Sequence, residues 1–269
     1  MRQAIPIPMI SYKYQWPTAD KTSVTATWPV GEKTALPKSV LATSSLTLEA
    51  KRMGTYLEVT NDLLDDTGAE GLAVLDFLLE IITEAIGKKI DLTFFQGDAD
   101  GADHTYMDGV FNADLSGVGS YELTVGVDTY AELVARDFRK LIAEVPPEER
   151  EGCGFYYCPA AGVYVETLED ENSRPVYRQP AGEKPATLYG QPPYETSRAP
   201  DNDGEDALPL VVFGSIRKNC LLGWRKEIAI ETTRILKFLE NMTTVKVECK
   251  PAMAIPHTSR WIQMLSNTD

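Results

Sequence analysis

The stretch with the most obvious chemical potential is Asp98-Ala-Asp-Gly-Ala-Asp103, followed at once by His104. Carboxylates at every second or third position of a loop are what calcium takes, and carboxylates with a histidine can hold a hydrolytic metal. An EF-hand loop starting at Asp98 would need glycine where Asp103 stands and glutamate where Gly109 stands. The spacing therefore reads as a polar turn after a helix. A metal-dependent hydrolase built on Asp98, Asp100, Asp103 and His104 is the alternative.

Other candidates assemble no further. His104 and His257 are the only histidines, and neither belongs to a zinc-type His-x-x-x-His or Cys-x-x-Cys spacing. Cys153 and Cys158 lie five apart in Cys-Gly-Phe-Tyr-Tyr-Cys. An odd offset along a strand points them to opposite faces, so they read as reduced structural thiols. Pairing either with His257 as nucleophile and base has no local support. Gly-x-Ser-x-Gly, the Walker pattern and the dinucleotide glycine fingerprint are all missing from the sequence. Asp62, Asp65 and Asp66 suit the positive end of a helix dipole. Neither catalysis nor a bound metal or cofactor is expected.

Composition narrows the classes further. Among 269 residues, 40 are acidic and 26 basic, a formal charge of −14. Phosphate backbones need a positive surface, so general nucleic-acid binding is disfavoured, and Arg217, Lys218, Arg225 and Lys226 leave room only for a local basic patch. With 43% apolar residues the chain can bury a sizeable core, and no apolar run has the ~18 residues of a membrane span. The N-terminal Met-Arg-Gln-Ala-Ile-Pro-Ile-Pro lacks the sustained apolar core of a secretory signal. A chain this long does not need its four cysteines as a disulfide framework.

The element that would position everything else runs from Thr67 to Gln96. Thr67 and Glu70 form a capping-box pattern. Leu72, Leu75, Leu79, Ile82, Ile86 and Ile90 then recur at three- and four-residue spacing. Val74, Phe77, Leu78 and Ile81 widen that face, and Gly97 ends the run. At ~1.5 Å per residue the helix would be on the order of 40 Å long.

Before it, residues 1–19 hold three prolines with Tyr12, Tyr14 and Trp16, an extended arm whose aromatics need a surface to lie on. Residues 23–28 and 45–49, with 55–59 beyond, read as strands of an excursion too thin to bury its own core. After the helix, 106–111 and 121–125 are strand-like. Thr129 to Glu144 is a second capped helix with Tyr130, Leu133, Val134, Phe138, Leu141 and Ile142 on its apolar face. Strands follow at 154–158, 208–213, 220–224, 227–231, 243–249 and 260–265, with loops dominating 170–206. The class is α+β.

The order of these pieces resembles the major capsid protein of tailed bacteriophages, the Hong Kong 97-type fold. The resemblance rests on Leu57-Glu-Val-Thr-Asn-Asp-Leu-Leu-Asp-Asp66 leading into the long helix, Phe95-Gln-Gly-Asp98 and Asp108-Gly-Val-Phe111. It extends to Gly31-Glu-Lys-Thr-Ala-Leu-Pro-Lys-Ser39, Leu188-Tyr-Gly-Gln-Pro-Pro193 and Val212-Phe-Gly-Ser215. It implies an N-terminal arm over 1–19 and an extended β-hairpin loop over 20–56. It further implies a peripheral domain of 57–114 and 223–258 with spine helix 67–96, and an axial domain of 115–222 and 259–269. Copies would join as pentamers and hexamers into an icosahedral shell around double-stranded DNA, assembled in the bacterial host cytoplasm. Tyr12, Tyr14, Trp16, Trp28, Glu32, Lys33, Lys38 and Arg52 would lie in inter-subunit contacts. Portal, scaffolding and decoration proteins are the implied partners, with no membrane. The encapsulin compartment is the alternative shell of the same fold. Some relatives carry a cross-linking lysine just before the loop proline; Leu36 stands there, which implies a non-covalent shell. No N-terminal coiled-coil segment precedes the arm, so a separate scaffold or an already processed chain is implied.

Overall fold

A computed structural model describes residues 4–19, 43–66, 71–98, 107–113, 115–180 and 185–267. Two sheets and one long helix organise them. The first sheet runs in the order β1 (Ile5–Pro8), β11 (Leu221–Thr233), β12 (Met242–Ala254), β4 (Met53–Thr60). β1 is parallel to β11, and the other neighbours are antiparallel. The second sheet runs β5 (Gly119–Glu122), β13 (Ile262–Leu265), β10 (Pro209–Gly214), β6 (Gly154–Tyr157), β9 (Pro193–Glu195). All residues of β10 and β6 are buried, in keeping with their unbroken apolar runs at the centre of that sheet.

α1 (Asn61–Asp66) leads toward α2 (Gly71–Gln96), whose 26 residues are about 39 Å of helix. Ile82, Ile86, Ile90 and Phe94 are buried in one apolar cluster with Val247, Cys249 and Met253 of β12. Phe77 and Ile81 are exposed, so the expectation that they widen the buried face is corrected: within one subunit α2 is covered along a single stripe. The Thr67–Glu70 capping box lies outside the described residues.

At its C-terminal end α2 ties the sheets together. Phe94 meets Trp261 edge-on at 5.7 Å between ring centroids, and Phe95 meets Tyr156 at 5.9 Å and Phe111 at 6.1 Å. The segment 107–111, expected as a strand, instead closes the helix end. Amides of Gly109, Val110 and Phe111 donate to the carbonyls of Gly97, Phe94 and Phe95, satisfying acceptors that a helix terminus leaves open. Gln263 of β13 then donates to the carbonyls of Val110 and Asn112 at 3.0 and 2.7 Å.

The second helix begins later than expected. Residues Tyr130–Glu132 make one 3-10 turn, Leu133 and Val134 are extended, and α3 is Ala135–Glu144. Glu132 accepts from the Thr129 hydroxyl at 3.0 Å, and Asp203 takes the Tyr130 amide at 2.8 Å. Those bonds hold the turn apart, and Val134, expected on the apolar face, is exposed. Two further boundaries differ: 220–224 and 227–231 merge into the single strand β11, and the strand expected at 121–125 is β5. α4 (Pro159–Glu166) starts on Cys158, whose sulfur accepts from the Ala161 amide. The segment Leu188-Tyr-Gly-Gln191 is a two-residue turn with φ +51° at Tyr189 and +82° at Gly190, bonded both ways between Leu188 and Gln191.

Candidate assembly interface

Residues of the expected arm form two strands of this subunit. β1 continues the first sheet beyond β11, and Met9 donates its amide to the Trp224 carbonyl. β2 (Lys13–Ala19) then pairs antiparallel with β3 (Thr43–Glu49), Tyr14 opposite Leu48 and Trp16 opposite Leu46. The partner expected for the 45–49 strand, residues 23–28, lies outside the described residues; the partner observed is β2. Only the base of this ribbon is anchored: Leu48 and Ala50 join Ile7, Met9, Leu221, Ala252 and Ala254 in a second small core, with Trp16 and Leu46 against it. Toward Ala19 and Thr43 no third strand covers the ribbon among the described residues.

The named contact residues sit as follows. Tyr12 and Tyr14 are exposed, with the rings of Tyr14 and Trp16 tilted at 44° to each other, 6.4 Å apart, along one face of β2. Lys13 pairs with Glu49 across the ribbon. Trp28, Glu32, Lys33 and Lys38 lie outside the described residues. Arg52 reaches back into its own subunit, where its Nε lies 3.1 Å from Glu248.

Glu248 is a hub that sequence reading missed. Lys226 and Lys246 also approach it, at 2.8 and 3.0 Å, and Lys246 holds Glu231 at 3.0 Å. Those two ammoniums lower the Glu248 carboxyl to about 2, outweighing the burial that opposes its charge. Lys246 stands two residues from Glu248 on the same strand, but Lys226 lies on β11, and only the register of β11 on β12 could have revealed it. Lys226 of the basic cluster is thereby neutralised, and Lys218 pairs with Glu151 at 3.7 Å.

The chemistry of the loop after α2 does not gather elsewhere. Asp100, Asp103 and His104 lie outside the described residues, and Asp98 is exposed. Among the described residues no group of three His, Cys, Asp or Glu side chains could hold a metal. All four cysteines are buried, and none is in a disulfide. Burial raises the thiols of Cys153 and Cys249 and pushes Cys220 up to about 12, which leaves them protonated and unreactive at neutral pH. Asp62 accepts from Asn241 at 2.8 Å, a structural role.

A second surface feature also escaped the sequence reading. The β11–β12 hairpin ends in residues 234–241, and there Ile235, Leu236, Phe238 and Leu239 all point into solvent. Two apolar pairs in a turn between alternating strands were the available signal. Thin ribbons, an edge helix face and an apolar hairpin tip make a subunit whose exposed features suit contacts with other proteins rather than with small molecules.

Comparison with known proteins decides the family. The family model described as "Phage capsid family" matches residues 1–260. The chain belongs to the phage capsid family. Among solved structures, this capsid-family chain is similar to the capsid of an empty GTA particle computed with C5 symmetry, with TM-score 0.81 at 15% identity. The match covers 99% of this chain and 89% of that one. It is also similar to chains from Gordonia phage Cozz, with TM-score 0.68, 16% identity and coverage of 100% and 86%. For Microbacterium phage Oxtober96 the values are 0.71, 15%, 99% and 90%. No curated protein matches the sequence. The α+β class, with a long helix beside two sheets, is thus that of phage capsid proteins.

Proposed function

We propose that this chain is the major capsid protein of a tailed-phage-like particle, a non-enzymatic building block of the virion. Copies join as pentamers and hexamers, and these close into an icosahedral head around double-stranded DNA in the host cytoplasm. In this reading the β1–β11–β12–β4 sheet and α2 make the peripheral domain, and the β5–β13–β10–β6–β9 sheet makes the axial domain whose loops meet at the ring axes. Residues 20–42, carried on β2 and β3, extend over the next copy, with Trp28, Glu32, Lys33 and Lys38 in the contact. Tyr12, Tyr14 and Trp16 border it, and Arg52 braces its root. A portal, a scaffolding protein and decoration proteins complete the particle.

The observation that carries this reading is the β2–β3 ribbon. Two strands alone are marginal in water, yet β2 and β3 are anchored only at their base, on a core of a few side chains. A surface on another copy supplies what the subunit lacks, and heterologous contacts that close make rings. A charge of −14 suits the inner wall of a DNA container, since it keeps the wall from gripping packaged phosphates. Negative-stain microscopy of the purified protein, alone and with the product of its upstream gene, tests the reading. Closed shells with ring-shaped capsomers are expected; a monodisperse monomer under both conditions would overturn it.

A further inference from the structure

One edge of the second sheet gathers acids and phenols with no basic side chain paired to them. β9 brings Glu195 there, the end of α4 brings Glu166, and β6 brings Tyr157. Tyr177 joins them from β7 (Tyr177–Arg178), which pairs with β8 (Thr187–Leu188). Gly162, one turn before Glu166, makes the room: a Cβ there would lie 3.3 Å from Glu195 Oε2 and 3.6 Å from Tyr157 Cε2. Glycine weakens a helix interior, and here its missing side chain lets Glu195 lie across α4 beside the tyrosine ring. Tyr157 is 3% exposed, and among the described residues no hydrogen bond reaches its phenol. Burial raises the Tyr157 and Tyr177 phenols, and Glu195 and Glu166 next to them raise both further.

Charge and shape define what fits. Glu149, Glu151 and Glu171 each hold an arginine or a lysine, but among the described residues Glu166 and Glu195 pair with neither. A compact metal ion is a poor match, since neutral phenols are weak ligands and no three acidic, histidine or cysteine side chains among the described residues could hold one. A guanidinium is a good match. It is weakly hydrated, its fork of N–H donors serves two separated carboxylates, and its plane packs on aromatic rings. We infer that the niche between α4 and β9 binds a guanidinium group, with Glu166 and Glu195 accepting its hydrogen bonds and Tyr157 and Tyr177 forming its wall. The group belongs to a small molecule or to an arginine of another copy, and the chemistry of the niche is the same for both. An isolated subunit carries the whole niche, so it stands apart from the shell reading above.

Ethylguanidinium titrated into the purified full-length chain tests it, with saturation-transfer NMR on the ethyl protons as the readout. Saturable binding is expected, with ethylammonium at least tenfold weaker. Glu166→Gln with Glu195→Gln should weaken ethylguanidinium at least tenfold and leave the melting temperature unchanged, because both side chains are exposed. Repeating the titration on assembled particles separates the two sources. Particles that bind like the free subunit assign the niche to a small molecule. Particles that do not bind assign it to an arginine of another copy, and the double variant should then lose shell yield at least tenfold. No binding by the free subunit, equal binding by the double variant, or equal binding of ethylammonium overturns the niche while the shell reading stands.

Discussion

The amide of Gly109 donates to the carbonyl of Gly97 at 2.8 Å, and each glycine occupies space that a side chain would need. A Cβ on Gly109 would lie 2.6 Å from the Phe95 carbonyl oxygen, and one on Gly97 would strike the carbonyls of Thr93 and Met107. This close backbone approach is why residues 107–111 seal the helix end and why Phe95 can pack against both Phe94 and Phe111.

Gly109→Ala should therefore destabilise the subunit by about 2 kcal/mol or more, since the obstructing atoms are backbone and cannot swing away. Urea titration of the two proteins measures it. An unchanged midpoint would mean the segment 107–111 is free to shift.

Ile82→Asp places a carboxylate in the apolar stripe that α2 buries in the main core. A loss of about 3–5 kcal/mol is expected from the vanished packing and the uncompensated charge. Phe77→Asp, one and a half turns earlier on an exposed face, should leave the isolated subunit's melting temperature within about 2 °C, as for a surface change worth less than about 0.5 kcal/mol. Equal losses from both would contradict a helix covered on one side.

Glu248→Gln removes the centre of the Arg52, Lys226 and Lys246 cluster. Because the folded carboxyl is lowered from its ordinary 4.5 to about 2, ionised Glu248 favours the fold above pH 4.5, and that contribution disappears as pH falls toward 2. The stability difference between wild type and variant should be constant from pH 5 to 7 and shrink steadily below pH 4.5. A difference independent of pH, measured by denaturant midpoints, would contradict the ionic role.

What was legible in the sequence follows from how local each signal is. The stripe Ile82, Ile86, Ile90 and the strand at 243–249 depend on neighbours in the chain and both form, although within 243–249 all but Lys246 are buried, on both faces of the strand. Phe77, Ile81 and Val134 look like core by periodicity, yet a face that one subunit leaves open has the same pattern as a buried one. The strand Lys13–Ala19 carries a proline and has the sequence of an extended arm; its pairing with Thr43–Glu49 joins residues far apart in the chain, which no local pattern encodes. Leu133 and Val134 interrupt the second helix because Asp203, seventy residues away, takes the Tyr130 amide. In the Glu248 cluster Lys246 is a neighbour two residues away, but Arg52 and Lys226 come from segments that only the folded sheet brings together.

The most direct test of the account is to replace residues 20–42 with Asn-Gly, which closes β2 onto β3 with a two-residue turn that suits paired strand ends. The subunit should stay folded with an unchanged melting temperature, and microscopy should find no stable shells. Normal particles from this variant would contradict the claim that the segment is held by, and holds together, other copies of the same chain.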